Sequence, residues 1–451
     1  MKNLRLVRAF GIGLAIVSLT AWQGPAGAEA PEGKVEAAAQ VPEILSPSDR
    51  ARYREIFDVQ ERGDWRAADR VIRKLHDRIL MGHVLAQRYL HPTHYRSRYG
   101  ELAAWMKEYA DHPDARRIYN LARTRKPIKA RAPVRPDKRF FPAYETAAII
   151  EHSGYRAVHS AEKQIVSQVR RMVWRRELTS AGKYIARKDI ARKLGPTGLE
   201  LARTHIASGW FFHGDSKIAY RDANLAAKRA GTKLPYAHWI AGLSAFRLGD
   251  YVSAADHFEA VTQSSDVSGW DHAAAAFWAA RANMTGKRPE RVNRFLRMAA
   301  EEPHTFYGIV ARRWLGDTSP FDWTPPRLTP DRLTMVTDLN AGRRALALLE
   351  AGMTRRAERE LRFLAHTGDP KLTEALVAIA DRESLPMVSL RAGLALPESE
   401  KVARTPALYP VPNWKPKEGF TVDRALIFAF MRQESAFNAR AKSSAGARGL
   451  M

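Results

Sequence analysis

The chain has no cysteine. That excludes disulfides, thiol nucleophiles and the acylated cysteine that tethers a lipoprotein. Acidic residues are few beside basic ones, 48 against 73, for a formal net charge of +25. Such a balance suits nucleic acid, an anionic membrane surface or an anionic polymer, or reflects a general richness in arginine. The charge is spread along the chain and no nucleic-acid motif accompanies it, so nucleic acid is not an expected partner. No glycine loop for phosphate, no nucleophile elbow and no dinucleotide fingerprint occurs. His76, His83, His91 and His94 have no carboxylate at metal-binding offsets. His152 and His159 share a helix face without completing a site. No metal and no cofactor are expected. Convincing period-two strands are also missing.

What is present begins with an export signal. Lys2, Arg5 and Arg8 precede an apolar run, Ala9 to Trp22, that is too short to span a bilayer comfortably. Cleavage is expected after Ala28 or Ala30. Residues 1–28 then form a signal peptide, and the mature protein has no transmembrane anchor. It is expected to be exported, soluble and periplasmic. Residues 29–46, rich in Ala, Pro, Glu and Gly, read as a flexible lead-in.

From Pro47 the pattern is helical, and the fold class is all-α. A motif recurs: Gly63, Ala68 and Ile72; Gly214, Ala219 and Ala223; Gly249, Ala254 and Phe258; Gly352, Ala357 and Leu361. A glycine turn leads into a helix that packs a small residue first. The spacing approaches the ~34 residues of tetratricopeptide helix pairs. Residues 47–405 are therefore expected to be a superhelical solenoid of helix pairs. Proline breaks fall at Lys126–Pro142, readable as a basic arm or a surface excursion, and at Trp323–Leu328. The segments 277–282 and 303–308 are aromatic-plus-small clusters suited to core packing. Residues 406–420 form a linker, in which Trp414 either lines a sugar cleft or packs on the helical domain.

Residues 421–451, TVDRALIFAFMRQESAFNARAKSSAGARGLM, carry the chemistry. Thr421 reads as the N-cap of a helix. Leu426, Phe430 and Glu434 fall four apart on one face. That places the Glu434 carboxyl toward the packed side, near Phe430 and Phe437, or at the rim paired with Arg432 or Arg440. Burial favours the protonated form of a carboxyl, which a general acid needs. Asp423 lies eleven residues earlier, roughly 16 Å along the axis, too far to act as its partner in a two-carboxylate glycosidase. The small-residue loop Ser443 to Met451 would let backbone approach a ligand.

The block Arg432-Gln433-Glu434-Ser435, followed by Gly446-Ala447-Arg448-Gly449-Leu450-Met451, closely resembles the start of the catalytic domain of soluble lytic transglycosylases. The helical region 47–396 resembles, more weakly, the superhelix that precedes that domain. The resemblance implies a lysozyme-like domain beginning at 421. In the family it continues past the position of Met451 with Gln and further helices, so the chain reads as truncated and the domain as incomplete. It also implies cleavage between N-acetylmuramic acid and N-acetylglucosamine in peptidoglycan, with Glu434 as the single acid and base. Ser435, Ser443, Gly449, Leu450 and Met451 would line the substrate groove. Partners would be glycan strands and other cell-wall enzymes. Residues 47–405 alone suggest a different function, an exported helical-repeat scaffold that binds glycan or protein without chemistry.

Overall fold

The glycine-turn motif corresponds to a recurring backbone geometry. The computed structural model of the chain describes residues 43–137, 153–318, 321–365, 369–396, 404–443 and 445–451. Gly63, Gly214, Gly249 and Gly352 all take positive φ, from 73° to 99°. The next residue's N–H then bonds back across the turn: Asp64 to Val59, Asp215 to Trp210, Asp250 to Ala245 and Met353 to Leu348. In three of the four turns that next residue is an aspartate. Asp64, Asp215 and Asp250 each cap the following helix by accepting from the N–H of Ala67, Ile218 and Ser253. The alanines Ala68, Ala219, Ala254 and Ala357 are all fully buried.

The same turn also forms at Arg176, Lys287, Gly316 and Ser384, again with positive φ. The matching bonds run from Glu177 to Met172, Arg288 to Asn283, Asp317 to Arg312 and Leu385 to Ala380. A left-handed backbone costs a non-glycine residue roughly 1–2 kcal/mol, so the flanking helices must hold these turns. With them included, successive turns from 176 to 384 lie 29 to 38 residues apart, around the period of helix-pair repeats.

Contacts divide the chain into two compact units, a central one (145–320) and one made of 1–144 with 321–451. The discontinuous unit begins with α1 (Pro47–Glu61), α2 (Trp65–Ile72), α3 (Met81–Tyr89), α4 (Tyr99–Glu108) and α5 (Ala115–Thr124). The central unit holds α6 (Ser160–Trp174), α7 (Leu178–Ala186), α8 (Lys188–Phe212), α9 (Ser216–Ala230), α10 (Pro235–Arg247), α11 (Tyr251–Thr262), α12 (Gly269–Thr285), α13 (Pro289–Ala300) and α14 (Phe306–Trp314). From α8 onward each helix packs chiefly on its neighbours in sequence, as stacked helix pairs do. Small residues allow close approach: a Cβ on Gly242 of α10 would come within 2.7 Å of the Phe258 ring on α11. The aromatic clusters serve as packing. Phe277 is buried, and the Trp278 indole N–H donates to the Tyr307 hydroxyl at 3.1 Å. Helix α8 is broken at Gly195, whose φ of 65° and ψ of 178° precede Pro196.

The discontinuous unit resumes with α15 (Pro330–Thr337), α16 (Asn340–Glu350), α17 (Thr354–Leu364), α18 (Pro370–Arg382), α19 (Pro386–Ala395), α20 (Arg404–Leu408) and α21 (Arg424–Ser435). Its two chain segments share one core, in which Tyr53, Ile56 and Leu80 meet Ala347, Leu348 and Ala357. The Glu350 carboxylate accepts from the N–H groups of Ile44 and Leu45 at 2.7 and 2.8 Å, and from Arg50 Nε at 3.2 Å.

The described residues form no strand, only an isolated bridge between Lys442 and Arg448. None of their helices is long and apolar enough to cross a membrane. The fold is all-α. Residues 126–137 and 321–329 are non-helical, as their prolines require. The expected leader 1–28, the lead-in up to residue 42, residues 138–142, His152 and Ser444 lie outside the described residues.

The caps can be tested singly. Asp250→Ala removes the acceptor for the Ser253 N–H and should lower stability by about 1 kcal/mol, read as a lower midpoint in denaturant unfolding.

Candidate active site

Helix α21 carries Glu434, and its position follows from how the helix ends are fixed. Asp423, not Thr421, is the N-cap; its carboxylate accepts from the Ala425 N–H at 2.7 Å. At the other end Ala436 turns left-handed (φ 51°, ψ 42°) and Phe437 follows at φ 61°. The N–H of Phe437 reaches the carbonyl of Met431, and that of Ala436 the carbonyl of Arg432. This six-residue return closes the helix and folds the Phe437 ring inward. Phe437 and Phe428 are buried with Met387, Leu390 and Leu408, and Ile427 and Met431 pack beside them.

The buried face is therefore the 427–428–431 face. Leu426 and Phe430 are each about half exposed, 50% and 51%, and Glu434 on their side is exposed. The expectation that this stripe points inward is overturned. The helix has two apolar stripes, and the neighbouring α19 and α20 cover the one that contains Phe428. Arg432 does not serve as the partner of Glu434: its Nε donates to the Leu408 carbonyl at 2.9 Å, and its guanidinium lies 4.7 Å over the Tyr409 ring. Trp414 packs edge-on to Phe437, with centroids 6.3 Å apart, and is half-buried in the same cluster.

The other sequence-derived residues lie on either side of this helix end. The Ser435 hydroxyl donates to the Met431 carbonyl at 2.9 Å, one turn back. Ser443 organises a small hairpin. Its N–H donates to Ala447 O, and its hydroxyl accepts from the Ala447 N–H at 3.0 Å. Gly449, at φ 122°, donates to the Ala441 carbonyl. Leu450 is partly buried and Met451 is 64% exposed. Both serine hydroxyls are thus engaged with nearby backbone. A separate cleft between Trp323, Asp381 and Tyr409 does not include Glu434.

A second polar constellation was not legible in the sequence. Buried Glu360 on α17 accepts from His83 Nε2 at 2.8 Å and from Arg344 Nε and Nη2 at 2.8 and 3.1 Å. Arg344 also reaches Asp111 at 2.8 Å, and Arg359 grips Asp114 with two bonds of 2.8 and 3.0 Å. His112 lies with its ring 4.0 Å from that of His83, its Nδ1 accepting from the Asp114 N–H. His83, His112 and Glu360 offer ligand atoms within 4.8 Å of one another, the spacing of a candidate metal centre. The charges oppose that use. Both Glu360 oxygens are already engaged, and Arg344, Arg356 and Arg359 surround the histidines with positive charge. The arrangement acts as a structural knot.

Residues 413–451 match the Transglycosylase SLT domain family. No curated protein sequence matches the chain at a significant level. Two solved structures are similar over most of the chain. One is the 70 kDa soluble lytic transglycosylase SLT70 from Escherichia coli, at 16% identity and a TM-score of 0.46, covering 89% of this chain and 79% of that one. The other is an inactive mutant of lytic transglycosylase Slt from Pseudomonas aeruginosa, at 16% identity and a TM-score of 0.41, covering 90% and 70%.

The buried knot makes stability depend on pH. Burial, then Arg356 and Arg344, push His83 well below its ordinary 6.5, and burial with His83 does the same to His112. Both stay neutral in the fold and take up protons in the unfolded chain, so stability should fall as pH drops below about 6.5. Burial alone would raise Asp114, but the Arg359 bonds override it and hold the carboxyl at about 2. Its contribution, about 2 kcal/mol, is complete above pH ~4 and lost as pH falls toward ~2. Denaturant unfolding across pH should show both declines, and Asp114→Asn should shrink the lower one, leaving the share of Asp49, which is also held low. Glu360→Gln leaves buried Arg344 with Asp111 as its one paired carboxylate and should lower stability by about 3 kcal/mol.

Proposed function

We propose that residues 421–451 supply the acid and base of a peptidoglycan lytic transglycosylase, with Glu434 in both roles, and that residues 47–405 form the helical scaffold beside it. The observation that carries this reading is the placement of Glu434 inside the family match at 413–451. Glu434 protonates the glycosidic oxygen between N-acetylmuramic acid and N-acetylglucosamine. The muramyl acetamido group stabilises the cationic anomeric carbon as that bond breaks. The Glu434 carboxylate then takes the proton from the muramyl 6-hydroxyl, whose oxygen closes on the anomeric carbon. The product is a 1,6-anhydromuramyl end, no water is consumed, and Glu434 regains its proton. One carboxyl suffices because the substrate supplies the second group, as in substrate-assisted glycosidases. Ser435, Ser443, Gly449, Leu450 and Met451 are assigned to the substrate groove. The site asks for no cofactor. The expected leader places the mature enzyme in the periplasm, with glycan strands as substrate and other cell-wall enzymes as partners.

The exposure of Glu434 and of Leu426 and Phe430 beside it favours a second reading for residues 1–451 taken alone, that of a non-enzymatic scaffold. A general acid needs a desolvated setting to hold its proton near neutral pH.

Digestion of purified sacculi separates the two. Residues 1–451 should release no anhydromuramyl products. A longer form in which the domain continues past Met451 should release them, and Glu434→Gln in that form should cut the rate by roughly 10²–10⁴-fold. Equal release by the Glu434→Gln form would remove Glu434 from the role assigned to it.

A further inference from the structure

A one-sided positive charge lies along α6 of the central unit. This helix buries Ile165, Val166 and Val169. Lys163, Ser167, Arg171 and Trp174 follow one another at intervals of three or four residues on the opposite side, so they form one solvent stripe. All four are exposed, Trp174 at 84%, the most exposed tryptophan among the described residues. Arg175 and the left-handed Arg176 continue the stripe past the helix end, and both are exposed. Val158, Lys163, Ser167 and Arg171 line one shallow, open depression, so the stripe is a continuous surface.

Little negative charge offsets it. Residues 153–212 hold twelve lysines and arginines but only four acidic residues. Three of those four are committed elsewhere. Glu162 is buried and accepts from the Tyr155 hydroxyl and the Val158 N–H. Glu200 is buried and pairs with Arg203 and Arg229. Asp189 pairs with Arg187. Lys188, Arg192 and Lys193 at the start of α8 are exposed as well.

A single exposed indole set among guanidinium and ammonium groups, on a face without deep walls, suits one kind of partner. A bound sugar chain would need convergent hydrogen-bonding groups in a concavity. A nucleic-acid strand would need successive aromatic platforms. A bilayer surface needs only basic side chains for its phosphates and an indole for its headgroup layer.

We propose that the solvent face of α6, from Lys163 to Arg176, docks on an anionic lipid surface. Trp174 enters the headgroup layer, and Lys163, Arg171, Arg175 and Arg176 meet lipid phosphates. This surface is independent of Glu434 and of the reaction assigned to it.

Co-sedimentation with vesicles tests the proposal. The protein is used without residues 1–28, because the apolar run Ala9 to Trp22 would itself enter lipid. Vesicles of phosphatidylglycerol mixed with phosphatidylcholine should pellet the protein, and vesicles of phosphatidylcholine alone should not. Binding should disappear in ~1 M salt, where screening acts within about 3 Å. The triple substitution Arg171→Glu, Arg175→Glu and Arg176→Glu should lower partitioning at least tenfold, and Trp174→Ala about threefold, with unchanged far-ultraviolet circular dichroism. Equal binding to neutral vesicles, salt-insensitive binding, or binding to sacculi with none to vesicles would each overturn it. Should the triple variant misfold, the salt and lipid dependence of the unaltered protein decides the matter.

Discussion

The discontinuous unit is held together by buried charge. Glu360 takes three hydrogen bonds, one from His83 and two from Arg344, and Arg344 extends to Asp111. Helices α3, α16 and α17 are joined through the Glu360 carboxylate, and Arg344 ties in the turn before α5 through Asp111. Taking such a group out of water costs several kcal/mol unless its lone pairs are filled. Here they are filled by residues far apart in the chain, so the knot exists only when both segments of the unit are in place. The apolar core of Tyr53, Leu80 and Leu348 supplies burial without direction. The ion pairs give it register, since a guanidinium fork fits a carboxylate in few orientations.

What the sequence makes legible is local. The all-α class follows from helical periodicity, and the turn motif from glycine five residues before alanine. The turns at Arg176, Lys287 and Ser384 escape the motif because a non-glycine residue carries the left-handed backbone there. Helix packing determines that conformation, and nothing about an arginine or a lysine announces it. The sequence leaves the buried face of α21 ambiguous for a related reason. Leu426 and Phe430 make as good a stripe as Ile427, Phe428 and Met431, and only the covering surface selects between them. The knot around Glu360 was illegible altogether, because His83, His112 and Glu360 have no spacing that connects them.

The C-terminal segment shows how the helix that carries Glu434 is attached. Arg432 ties it to Leu408 and Tyr409, and Phe428 and Phe437 seat it against Met387 and Leu390. The tight left-handed exit at Ala436 and Phe437 reverses the chain directly after Ser435, which sets Glu434 at the last turn of a well-anchored helix. The hairpin that follows is held by its own backbone and by the Ser443 hydroxyl. Anchoring on one face leaves the other, which bears Glu434, open to whatever meets it.

The bonds from Glu350 to Ile44 and Leu45 also bear on how the chain is made. Contacts that span some 300 residues raise contact order, and the start of the discontinuous unit cannot close until residue 350 has been synthesised. The central unit, whose helices pack on their sequence neighbours, has no such wait. A chain delivered from its N-terminus therefore completes its middle before its beginning. The faces of the early helices that meet Ala347, Leu348 and Ala357 must stay uncovered for as long as the later helices take to emerge.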